Sequence, residues 1–147
     1  MTRRGASGLL GLLALLIVGG AGVLCVLATR SGKRSGYTAE GFWHWWGIVV
    51  AYGVVVGAAA GVGLYVYSVE ALHSASGGLL GCALFSSVLA FMSSQAIFGT
   101  YCGTIANVRF RRELWMPMYL RQLRRSAAIA GVEIVAALVA HLAGAGR

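Results

Sequence analysis

Four long apolar runs separated by short basic connections decide what this chain can become. About 20 consecutive apolar residues carry a helix across a bilayer, and runs at 9–28, 47–69, 79–106 and 127–143 meet or approach that length. The expected fold class is therefore an all-α integral membrane protein. Its single membrane domain has four transmembrane helices, and a basic amphipathic loop at 107–126 precedes the last span.

Charge composition points the same way. Of 147 residues, 59% are hydrophobic and 11% charged, against roughly 25% charged in soluble domains. Asp is absent, and Glu40, Glu70, Glu113 and Glu133 face 12 Lys and Arg, for a net charge of +8. These cations flank apolar spans and form no soluble basic face, which argues against a nucleic-acid partner.

Sidedness follows from Lys and Arg in short loops. With both termini on one side, nine cations (Arg30, Lys33, Arg34, Arg109, Arg111, Arg112, Arg121, Arg124, Arg125) oppose Arg3, Arg4 and Arg147. Both termini are expected on the non-cytoplasmic or intermembrane-space side. The first run is longer than a signal-peptide core of about 7–15 residues, and is read as a retained helix. The first 39 residues hold no acid and several Arg and Ser, which tilts the expected location toward the mitochondrial inner membrane. An endomembrane fits almost as well. In "GFWHWWGIVV", Trp43, Trp45 and Trp46 are expected at the headgroup level, where an apolar body with one N–H is favoured.

The sequence "YGVVVGAAAGVG" places Gly53, Gly57 and Gly61 four apart. A helical glycine costs about 1 kcal/mol relative to alanine, so bare positions imply close backbone approach. At 100° per residue these three form one groove, a glycine zipper. Gly77, Gly81, Gln95, Gly99 and Gly103 share a face of the third helix, and Ser126, Ala130, Ala137, Ala140 and Gly144 share one of the fourth. The four helices are expected to pack as a compact bundle through these Gly/Ala/Ser seams, with some seam left for other membrane-protein subunits. Ser86, Ser93 and Thr100, with Ser87 and Ser94 alongside, read either as hydroxyls bonded to their own backbone or as a water path.

An ionisable residue inside a span is a candidate functional site. Glu133 has three readings: an acid bonded to Gln95 or a serine, an ion-pair partner of another chain, or a proton carrier. Gln95 itself needs a partner across a helix interface. In "RFRRELWMPMYLRQLRR", Pro117 is placed in the first turn of a helix, where its missing N–H is not needed. Arg121, Arg124 and Arg125 then form a cluster suited to anionic lipids such as cardiolipin. Cys25, Cys82 and Cys102 lack zinc-site spacing. No metal, cofactor or small-molecule substrate is implied, and no nucleophile motif, phosphate loop or carboxylate pair suggests an enzyme. The expected function is a non-enzymatic structural or assembly subunit of a larger membrane complex, of the respiratory-chain or ATP-synthase type. The alternative is a small homo-oligomeric channel or proton conductor using Glu133.

Overall fold

The computed structural model describes residues 3–72, 78–106 and 112–143. Its elements run α1 (Arg3–Leu15), a π-helical turn (Leu16–Gly20), α2 (Ala21–Ser35), α3 (Ala39–Leu72), α4 (Gly78–Ala106) and α5 (Arg112–Leu142). Strands are absent among the described residues. Among the described residues three helices are long and apolar enough to cross a membrane, over Ala39–Val66, Leu80–Gly103 and Trp115–Leu142.

Two expectations change. The run at 9–28 does not form one uninterrupted α-helix: the chain is helical from Arg3 to Ser35, but the π turn divides it into α pieces of 13 and 15 residues. A π turn displaces backbone bonds from their usual register, and the Tyr52 hydroxyl donates to the Leu16 carbonyl there. Gly20 lies directly under the Tyr52 ring, where a side chain would collide. The basic segment also differs, because residues 112–126 belong to α5 and are not loop. Pro117 is therefore not in the first helical turn but one turn further in, where the ring cannot donate to the Glu113 carbonyl.

Packing is built around α3 and α4, with α5 lying mainly along α4 and the first helix against both α3 and α4. Gly53, Gly57 and Gly61 all face α4. A Cβ on Gly57 would lie 2.7 Å from the Ser86 Cα, one on Gly61 2.8 Å from the Cys82 Cα, and one on Gly53 2.9 Å from the Ala90 Cα. The α4 surface that meets this groove is the Cys82–Ser86–Ala90–Ser93 stripe. It is not the glycine face: a Cβ on Gly81, Gly99 or Gly103 would meet nothing within 4 Å among the described residues. Gly77 lies outside the described residues. Serine, alanine and cysteine suffice opposite glycine because one bare partner already brings the backbones together.

Small polar residues are buried beside the apolar core, and many large aliphatic ones face outward, unlike in a water-soluble protein. Ser86, Ser87, Ser93, Ser94, Gln122 and Ser126 are buried, while Val55, Val132 and Leu142 are 67%, 69% and 74% exposed. Lipid is as apolar as valine, so outward valines cost nothing there, while inward hydroxyls find the partners that lipid cannot supply.

Gly57→Ala is expected to destabilise the fold. Its new methyl meets backbone, which cannot swing away, and overpacking of about 1–3 kcal/mol outweighs a helix-propensity gain of about 1 kcal/mol. Gly99→Ala carries only the gain. Thermal unfolding of the two variants in one detergent checks this, with Gly57→Ala falling below the parent and Gly99→Ala at or above it.

Candidate functional site

At one end of the bundle, the turn from α2 to α3 is locked by local chemistry. Gly36 takes φ 76°, the left-handed conformation that glycine adopts without Cβ strain, and the Tyr37 N–H bonds back to the Gly32 carbonyl at 2.9 Å. Tyr37 also has positive φ, 57°, a conformation disfavoured for L-residues by roughly 1–2 kcal/mol. Packing holds it there: its ring covers Gly32 and meets Tyr101 edge-on at 5.4 Å. Thr38 Oγ1 then accepts from the Gly41 N–H at 3.2 Å, capping α3.

From this turn an aromatic cluster spreads across three helices. Phe42 contacts Trp43, Phe98 and Tyr101, and Phe98 contacts Tyr119 of α5. The tryptophans do not act as one headgroup belt. Trp46 is buried against Trp43, and its Nε1 has no hydrogen-bond partner among the described residues. Trp43 carries the Arg125 guanidinium at 4.3 Å over its ring, while His44 is exposed.

The polar pair at the α4–α5 contact is the feature that the sequence half revealed. Gln95 finds its partner in Gln122, not in Glu133. The two amides donate reciprocally, Gln95 Nε2 to Gln122 Oε1 at 3.4 Å and Gln122 Nε2 to Gln95 Oε1 at 3.3 Å. Ser126 Oγ adds a 3.5 Å donation to Gln122 Oε1. These are long hydrogen bonds, yet Gln122 is fully buried, so no other solvation is open to it. Gln122 was hidden because it sits among arginines in a segment that reads as loop. Its spacing of four from Ser126, on one helix face, is the signal that could have found it.

The serine stripe is taken up by packing and by backbone. Ser86 Oγ donates across to the Val54 carbonyl of α3 at 3.1 Å, and Ser87 and Ser94 bond Leu84 and Phe91 carbonyls of their own helix. Ser93 lies against Gly53. Glu133 shares the more buried face of α5 with Ser126, Ala130, Ala137 and Ala140. Both of its carboxylate oxygens are buried with no hydrogen-bond partner among the described residues.

The structure divides the arginine cluster. Arg121, Arg124 and Arg125 are all exposed, but only Arg121 and Arg124 line a hollow of about 270 Å³ with Pro117 and Leu120. Arg125 instead turns toward α3 and lies on Trp43. Among the described residues no three His, Cys, Asp or Glu gather as metal ligands. Compared with known protein families, curated proteins and solved structures, the chain finds no match.

A double-mutant cycle tests the amide pair. Gln95→Leu or Gln122→Leu alone strands one buried amide, at a cost of roughly 1–3 kcal/mol. The double variant removes both and is expected to be more stable than either single one. Detergent unfolding midpoints of the four proteins give the coupling, and simple additivity would show that the two amides do not act as a pair.

Proposed function

We propose that this protein is a non-enzymatic structural or assembly subunit of a larger membrane complex. The observation that supports this is the placement of its unused glycines. Gly8, Gly11, Gly19 and Gly22 in the first helix, with Gly99 and Gly103 in α4, would each have no described residue within 4 Å of an added Cβ. Against lipid a glycine gains nothing and weakens the helix by about 1 kcal/mol. Such positions become favourable when a partner helix packs onto them, as α4 does on Gly53, Gly57 and Gly61.

On this reading the first helix is the fourth span, crossing as one rod of about 50 Å with a π turn in it. The termini lie together on the non-cytoplasmic or intermembrane-space side, and the basic end of the bundle faces the other compartment. The acid-free N-terminal segment favours the mitochondrial inner membrane.

Native electrophoresis in a mild detergent, with mass spectrometry of co-migrating chains, is the test. The expected result is a particle far larger than 15.3 kDa containing defined heterologous proteins. Gly99→Leu with Gly103→Leu is expected to release the chain from that particle without lowering its own unfolding temperature. Migration as a monomer alone overturns the proposal.

A second reading, a homo-oligomeric proton conductor, is favoured by the unpartnered Glu133 carboxylate. It requires proton flux in liposomes that Glu133→Gln abolishes. Flux unchanged in that variant removes Glu133 from any such role.

A further inference from the structure

We infer that the outer face of α5 is a binding site for one acidic phospholipid, with Arg121 and Arg124 holding the phosphate and Arg125 excluded from the site. The inference rests on the bundle lying in a membrane, and is independent of whether partner subunits cover the other helices.

Four observations converge on it. First, Pro117, Leu120, Arg121 and Arg124 recur at helical spacing and line one hollow of about 270 Å³. That is slightly below the roughly 300–1,000 Å³ of pockets that enclose a drug-sized ligand, a size for a headgroup and not for a whole lipid. Second, neither guanidinium has an ion-pair partner among the described residues. The two acids of their helix lie away from the hollow: exposed Glu113 is about two turns before Arg121, and Glu133 is more than two turns beyond Arg124 on the more buried face. Two uncompensated cations over a floor of proline and leucine attract a phosphate.

Third, the same face of α5 turns apolar immediately below the arginines. Ala128, Gly131, Val135, Leu138 and Leu142 continue it, all of them exposed, and Gly131 has open space where a side chain would be. Cationic above and apolar below is the order of a phosphate followed by acyl chains. It does not match an acidic peptide or a nucleic acid, which carry charge along their length. Fourth, the depth is right. Arg125 reaches Trp43 near the start of the apolar part of α3, so this stretch of α5 lies at the edge of the apolar layer. Arginine side chains there extend toward the headgroups.

Contact with Trp43 gives Arg125 a different task. Its charge is spent on an indole face that joins α5 to α3, so its loss loosens the bundle without emptying the lipid site. The three arginines, alike in sequence, therefore have separable phenotypes.

The test uses the full chain, purified in neutral detergent and titrated with phosphatidylglycerol or phosphatidylcholine while bound lipid is counted by native mass spectrometry. The parent is expected to hold one phosphatidylglycerol in preference to phosphatidylcholine. Arg121→Gln with Arg124→Gln is expected to weaken that binding about 30-fold, from about fivefold per cation at a charged headgroup, with unfolding temperature unchanged because both side chains are exposed. Arg125→Gln is expected to keep the preference and unfold at lower temperature. Equal retention of the two lipids by the parent overturns the inference, as does undiminished binding in the double variant. Displacement by glycerol 3-phosphate as effectively as by phosphatidylglycerol also overturns it, since the acyl track would then contribute nothing.

Discussion

The approach of α3 to α4 along three glycines is the contact from which the rest of the structure hangs. Backbone meets side chain and backbone at Gly53, Gly57 and Gly61, with no intervening side chain from α3. At this separation the Ser86 hydroxyl reaches the Val54 carbonyl of the other helix, and Phe42 reaches both Phe98 and Tyr101. Widen the gap by one methyl and the serine bond, the aromatic cluster and the support for the α2–α3 turn all move together. The energy of the seam is dispersion and short polar contact, because lipid offers no hydrophobic gain for helix association.

Polar residues follow from the same solvent. Gln95 and Gln122 satisfy each other because nothing outside the bundle would, and α5 gains a fixed register on α4 from that pair. The Tyr37 hydroxyl, Trp46 Nε1 and the Glu133 oxygens are exceptions, buried polar atoms without partners among the described residues. Trp46 lies in a packed aromatic cluster, where ring contacts offset part of the deficit. Glu133 lies on the half of α5 where the helix has the least protein around it, which is why it separates the two functional readings.

Much of the fold was legible in the residues. Apolar run length gave the helices, and the four-residue spacing in α3 picked out the face that α4 meets. The α4 glycines lie off that contact for a definable reason: a groove needs only one bare wall, and Cys82, Ser86, Ala90 and Ser93 are small enough to form the other. Spacing cannot tell a glycine that faces a neighbour from one that faces lipid. The arginine cluster shows the same limit, since three cations at neighbouring helical positions look alike until the angle to α3 directs one of them onto an indole.

What the sequence by itself determined was the solvent and the long apolar helices, but not that α5 begins in the basic segment, since hydrophobic length and charge placement are summed along the chain and need no knowledge of neighbours. Tertiary structure alone decided which small residues touch, which amide answers Gln95, where the first helix loosens under Tyr52, and which arginines remain free to hold an anion. Each of those depends on the distance and rotation between helices that are far apart in sequence. In a membrane, where no hydrophobic force distinguishes one helix face from another, a few close contacts fix that geometry.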